Sequence, residues 1–263
     1  MSVYFAEQSW PQLQTYIESN ALIILPFGTV EEHGLHLPVN TDWAVAEGIA
    51  KRVAEAVSDI VPALVMPGFW TGYSIKKMTK WPGVIRVRAE ILIEVFFDVM
   101  SSLVEMGFTR LLCINNHGQN PEAIKLAARR ISDQYDVNVV TTNSWSMAGR
   151  TMKEIRKSEP GGALHGGEYE TSLMLYLSDL VDMDKTTQQD VMRHHSDFYR
   201  GDMFGPGRSV LSTWYVQESS TGIYGDPTVA TRETGRLLME GIVGEYVKLI
   251  REYVALEPTR EAR

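Results

Sequence analysis

The stretch "EEHGLHLPVNTDW", Glu31 to Trp43, sets two of the chain's six histidines beside three carboxylates. Glu31 and His33 are two apart. In an extended segment their side chains share one side and Glu32 points away, as an outward charge or a support to whatever forms there. Asp42 follows at the start of a predicted helix. A second stretch, "INNHGQN" (Ile114–Asn120), carries His117. A third, "LHGGEYETS" (Leu164–Ser172), carries His165, then Glu168 and Glu170. Four of the six histidines therefore fall in three short segments, each with glycine, which lets backbone and ligand approach closely.

The donor types limit the chemistry. The one cysteine, Cys113, sits in the apolar run "RLLCIN" and reads as a buried small hydrophobe, so thiolate metal sites and internal disulfides are excluded. Imidazole with carboxylate suits Zn²⁺, Mn²⁺ or Fe²⁺. Three carboxylates and two histidines exceed what one zinc needs. They fit two divalent ions bridged by an aspartate at about 3.5–4 Å. Such a pair makes hydroxide near neutral pH and polarises a carbonyl, and a nearby unligated histidine can carry the proton to the leaving group.

Stepping from these residues to what must hold them, the patterning alternates strands and helices. "ALIILPFG" (21–28), "VPALVMPG" (61–68), "RLLCIN" (110–115) and "VNVVTTN" (137–143) are short apolar or β-branched runs that predict strands. Helices are predicted over 43–58, with Val45, Ile49, Val53 and Val57 on one stripe, and over 88–107, closed by Gly107. Others are predicted over 120–135, with Asn120 as N-cap and Pro121 in the first turn, and over 168–178 and 231–254. This order predicts an α/β fold, a three-layer, mostly parallel β-sheet flanked by helices. In such sheets ligands bind beyond the carboxyl ends of the strands, where His33 and His117 fall. The stretch 194–211 is the least regular and reads as a lid, an oligomer arm or a surface loop.

With 263 residues and no internal repeat, the chain reads as one domain over 1–256 with a disordered tail over 257–263. A net charge of −8 argues against a nucleic-acid partner. No apolar run approaches the ~20 residues of a membrane span, and no secretory signal is evident, so a cytoplasmic protein without a membrane partner is expected.

At this point the motifs resemble those of the creatininase (creatinine amidohydrolase) family. The pattern E-[QE]-H-G-x-H-L-P-x-x-x-D is met by Glu31, Glu32, His33, Gly34, His36, Leu37, Pro38 and Asp42, and the likeness continues through "MPGFWTGYS", "WPGVI", "NNHGQN" and "HGGEYETSLML". The resemblance implies that Glu31, His33, Asp42, His117 and Glu170 ligate two metals, Zn and/or Mn (Fe also suits the donors), with Asp42 bridging. It implies His165 as catalytic acid/base, a layered α/β fold and a homo-oligomer, often a hexamer. His36, Tyr73, Lys76, Lys80, Gly118, Gln119 and Trp145 are candidate substrate-binding or supporting residues. His36 is read as hydrogen-bonding to the site rather than ligating, and Glu168 as structural or at the pocket rim. His194 and His195 read as a solvated pair or an arm into a neighbouring subunit, and Trp70 and Trp81 as core.

Creatininases carry Tyr then Glu after the motif histidine; here Gly118 and Gln119 stand there. They carry a His near the position of Lys80; here the loop reads "SIKKMTK" (Ser74–Lys80). A Trp-Asp pair that shapes their substrate pocket is not clear around "NSWSMAG" (Asn143–Gly149). The expected function is thus a dinuclear-metal hydrolase in which metal-bound hydroxide attacks a carbonyl of a small polar substrate, a cyclic amide, formamide or related C–N bond. The alternatives are C–C ring opening of a cyclic diketo-polyol of the 3-dehydro-scyllo-inosose type, or a non-catalytic metal-binding relative. Gly118 and the lysines Lys76, Lys77 and Lys80 favour a larger, oxygen-rich substrate over creatinine.

Overall fold

A computed structural model describes residues 2–194, 196–199, 201–204, 209, 211–212 and 217–256. The expected tail, 257–263, and His195 lie outside the described residues. Four parallel strands, β1 (Leu22–Phe27), β2 (Ala63–Val65), β3 (Arg110–Asn115) and β4 (Val139–Asn143), form one sheet in the order β2–β1–β3–β4. Register is fixed by pairs such as Leu22 with Ala63, Phe27 with Asn115, and Asn115 with Asn143. The chain winds from β1 to one side and then back past it to β3 and β4. The reversal leaves a crevice at the carboxyl ends of β1 and β3, where a doubly wound sheet takes its ligand.

Residues of β1 alternate between two cores because successive side chains leave opposite faces. Leu22 and Ile24 join the core under α2 (Thr41–Ala56), α5 (Ser144–Ile155), α6 (Glu168–Leu177) and α7 (Arg232–Ala255). Ile23, Leu25 and Phe27 join the core under α3 (Ala89–Met106) and α4 (Pro121–Tyr135), where Cys113 is also buried, as expected. A strand buried on both faces reads as a continuous apolar run, hence "LIILPF". Helix α3 ends where expected, at Gly107 with φ 112°. Asn120 is the N-cap residue of α4, but its side chain does not cap the helix. Its Oδ1 accepts from Tyr73 N–H (3.1 Å) and its Nδ2 donates to Gly28 O (3.0 Å). The cap position is used to tie three loops together.

The sequence reading passes over α1 (Trp10–Glu18) and α5. Helix α1 buries no residue fully, and its start is a Ser9–Gln12 capping box rather than an apolar stripe. Trp70, expected in the core, is 48% exposed, whereas Trp145 is buried. Among the described residues no helix is long and apolar enough to cross a membrane.

Candidate metal centre

The site grows from the two inner strands. Beyond β1, Glu31 N–H donates to Val39 O (2.9 Å), closing the loop that carries Glu31 and His33 and delivering Asp42 into the first turn of α2. Beyond β3, Asn115 grips the next turn: its Oδ1 accepts from His117 N–H (3.1 Å) and its Nδ2 donates to His117 O (2.8 Å). The third segment turns at Gly166 and enters α6, whose first turn carries Glu170. Gly34 and Gly166 both hold left-handed backbone, φ 78° and 67°, and both press on the Ile223 side chain. A Cβ there would lie 2.3 and 2.5 Å from Ile223 Cγ2. Only glycine meets both demands, which accounts for the glycines beside His33 and His165.

These elements bring all of the predicted donors together. Ligand atoms of Glu31, Asp42 and His117 lie within 4.8 Å of one another, and so do those of His33, His165 and Glu170. Asp42 stands between the two groups. Its Oδ2 is 2.8 Å from His117 Nδ1 and its Oδ1 is 3.4 Å from His33 Nε2, which is 3.8 Å from Glu170 Oε2. Each histidine is held at its other nitrogen by a backbone carbonyl. His33 Nδ1 donates to Glu31 O (2.9 Å) and His117 Nε2 to Tyr73 O (2.8 Å). That arrangement is how proteins orient metal-ligating imidazoles.

Charge in the site is unbalanced without a cation. Burial opposes a charged His33, yet the carboxylates of Asp42, then Glu170 and Glu31, push it up to about 10. Burial likewise opposes a charged His117, but Glu31 and Asp42 raise it to about 9. Asp42 is held well below the ordinary carboxylate range by His33 and His117 in spite of burial, while burial pushes Glu170 up. Both Glu31 carboxylate oxygens are buried without a hydrogen-bond partner. Buried acceptors of this kind are costly unless something positive meets them. The donors, nitrogen and carboxylate oxygen without thiolate, fit divalent metal ions.

His165, read from sequence as an acid/base outside the ligand set, sits inside one of the two metal-capable groups. Its ring lies 4.3 Å from that of His33, its Nε2 is 2.9 Å from Glu32 O, and its Nδ1 is on the Glu31 side, 3.9 Å from Oε1. Glu32 is buried rather than outward, and Gly34 N–H donates to its Oε2 (3.0 Å). His36 is close to the expected arrangement: its Nε2 donates to Thr171 Oγ1 (2.8 Å), whose own proton goes to Gly166 O. Burial, then the charges of His33 and His165, push His36 down to about 4, so it is neutral. Glu168 turns away, its oxygens accepting from Lys157 and Ser158 N–H.

A cavity of about 380 Å³ opens over these groups. Gly118, Gln119 and Trp145 line it, as do Met192 and, from the described part of the irregular stretch, His194, Tyr199 and Leu211. Gln119 supports the site from the cavity wall: its carbonyl accepts from Ile75 N–H (2.6 Å) and braces the neighbouring loop. Two expectations change here. Tyr73 acts through its backbone oxygen, while its side chain packs against the core under α3 and α4. Lys76 and Lys80 do not line the cavity. They belong to a one-turn 3-10 segment facing residues 218–219, and Lys80 Nζ donates to Ser219 O (3.3 Å). The lysine that does line the cavity is Lys125 of α4. The sequence reading also missed Asn116, whose Nδ2 reaches Asp42 Oδ1 (3.4 Å) and whose Oδ1 accepts from Ser144. Its one signal was its place beside His117.

The chain is similar to known proteins over nearly its whole length. The creatinine amidohydrolase family profile matches residues 6–250. The creatinine amidohydrolase of Pseudomonas putida is 30% identical over 95% of this chain and 97% of its own length. A 3-dehydro-scyllo-inosose hydrolase of Thermotoga maritima is 24% identical over 97% of this chain and 85% of its own. A mycofactocin precursor peptide peptidase of Mycobacterium tuberculosis is 27% identical over 88% and 85%. Among solved structures, a creatininase mutant of Zn–Zn type (27% identity) and a Mn creatininase (26%) each superpose with a TM-score of 0.82, over 97% of this chain and all of theirs. With the profile spanning nearly the whole chain and the same layered sheet beneath the site, the protein belongs to the creatininase family.

Proposed function

We propose that this creatininase-family hydrolase is a dinuclear metal enzyme that hydrolyses a C–N bond at a carbonyl of a small polar substrate bulkier than creatinine. The observation that carries the proposal is Asp42, buried between His33 and His117, with the unpartnered oxygens of Glu31 facing the same space. Glu31, Asp42 and His117 would hold one ion, and His33, Asp42 and Glu170 the other. Two such ions supply Lewis acidity toward a carbonyl and lower the pKa of water.

The remaining steps belong to the chain. Asn116 and the carbonyls of Glu31 and Tyr73 keep Asp42, His33 and His117 aimed inward. His165, its Nε2 tied to Glu32 O, moves the proton at Nδ1 to the departing nitrogen. Met192, Tyr199, Met203 and Leu211 give the cavity an apolar side that limits access of water to a bound substrate. The open wall at Gly118, where an added Cβ would meet no atom within 4 Å, supports a ring larger than creatinine. Asn143, Ser146, Gln119 and Lys125 supply polar contacts for it. The likeness to the inosose hydrolase supports a second reading, C–C ring opening of a cyclic diketo-polyol by the same attack on a carbonyl. Exposed Leu35, Val39, Trp70 and Ile85 support a homo-oligomer, and a hexamer is the form the family resemblance implies.

The test is elemental analysis together with a substrate panel of creatinine, cyclic amides, formamides and cyclic diketones. Two equivalents of Zn or Mn and turnover of a bulkier amide are expected. Creatinine turnover at a kcat/KM of about 10⁴ M⁻¹s⁻¹ or more would overturn the substrate assignment. A fully loaded protein inert on the whole panel would overturn the enzymatic one.

A further inference from the structure

Glu32 has no place in the donor set, yet it is 5% exposed and sits behind His165. Its Oε1 is 3.5 Å from His165 Nε2, the nitrogen that also reaches the Glu32 backbone oxygen at 2.9 Å. Its Oε2 is pinned by Gly34 N–H. The other wall of its niche is residues 219–225. A Cβ on Gly222, whose φ is 96°, would lie 2.0 Å from Glu32 Oε2, so only glycine lets the backbone close over the carboxylate. The same strap presses Ile223 onto Gly34 and Gly166, and Tyr224 N–H donates to His165 O (2.9 Å).

The strap is itself held from outside the site. Asp190 Oδ2 accepts from Ser220 and Thr221 N–H (both 2.8 Å) and from the hydroxyls of Ser219, Ser220 and Thr221. Lys77 pairs with Glu218, and Lys80 donates to Ser219 O. The basic loop, read from sequence as a substrate contact, anchors this strap.

The geometry points to Glu32 as a positioning residue for His165: its carboxylate, clamped under the 219–225 strap, holds the proton on Nε2 and turns Nδ1 to the cavity. The inference rests on the proposed proton-transfer role of His165. It adds a group that touches neither substrate nor metal and acts only through the imidazole. The backbone oxygen of Glu32 takes the Nε2 proton and the carboxylate charge stands 3.5 Å from the same nitrogen, so one residue favours one tautomer and one ring rotation. A misplacement of about 1 Å in such a group can cost about 10²-fold in rate.

The test uses full-length protein loaded with zinc, which is diamagnetic, and the variants Glu32→Gln, Glu32→Leu and Glu32→Asp. Long-range proton–nitrogen NMR reads the His165 ring, elemental analysis reads zinc, and hydrolysis of para-nitroformanilide reads rate. The parent is expected to show one His165 tautomer, protonated at Nε2. Glu32→Leu at parental zinc content should show mixed tautomers and a kcat lower by about tenfold to 10²-fold with KM within about twofold. Glu32→Gln, which keeps a carbonyl acceptor, should restore most of both. Should Glu32→Leu fail to fold, Glu32→Asp decides, since it keeps charge and burial but withdraws the carboxylate from Nε2 and should shift the ring signals in the same direction. Parental ring signals in every folded variant would overturn the inference. A parent inert toward the anilide would count against the proposed hydrolysis of formamides and leave the ring measurement to decide the role of Glu32.

Discussion

Asp42→Asn is the perturbation that the site's geometry speaks to most directly. It keeps the shape of the side chain and removes one charge. Asp42 oxygens lie 2.8 and 3.4 Å from the ring nitrogens of His117 and His33, so a cation replacing the ring protons stands within about the same reach. A unit charge pair at 4 Å in an effective dielectric of about 20 is worth about 4 kcal/mol. At 1.4 kcal/mol per decade, that is about three decades of affinity. Because Asp42 faces both donor groups, the loss should fall on both ions. The assay is zinc competition against a chromophoric chelator, with elemental analysis after dialysis. The parent should retain two equivalents and the variant close to none. A variant that keeps both, with affinities within about tenfold of the parent, would refute the bridging arrangement. Loss of one ion alone would assign Asp42 to a single group.

His165→Ala should keep both metal equivalents and lose about 10²–10⁴-fold in kcat, the scale of general acid–base groups; loss of an ion would make His165 a ligand instead, as its place beside His33 and Glu170 allows. Gly118→Tyr should fold with stability within about 0.5 kcal/mol of the parent, because its side chain enters open space, and should abolish turnover of bulky substrates by narrowing the cavity; unchanged turnover would remove Gly118 from the substrate wall. For the metal-free protein, the raised values of His33, about 10, and His117, about 9, give stability that is complete below their ordinary 6.5 and lost as pH rises through the folded values. Asp42, lowered from 3.8, acts in the opposite sense: its contribution is present above that value and lost as pH falls through the folded one. The Tm of chelator-treated protein should therefore be highest between about pH 4 and 6.5 and fall toward about pH 10, whereas a flat profile over that range would show that these rings are not held protonated.

The sequence by itself determined the elements and the donor types. Apolar runs such as "LIILPF" are strands because a doubly covered sheet buries both of their faces, and a single cysteine inside an apolar run left imidazole and carboxylate as the metal-capable groups. The family could be read from the spacing of Glu31, His33, His36 and Asp42, because one loop and one helix start fix their separation. Tertiary structure alone decided what faces what. Strand alternation left Glu32 as an outward charge or a support, but the loop after β1 is not a strand, and residues 219–225, nearly two hundred positions away, close over it. Lys76 and Lys80 were placed near substrate because their loop stands where the resembled family carries a histidine, yet the turn that carries them faces the strap. Gln119 was a candidate substrate contact or support, and only the fold shows its carbonyl taken by Ile75 N–H. For Lys80 and Gln119 a backbone group from a distant segment takes the side chain, and over Glu32 a distant backbone closes; local periodicity carries no record of such partners.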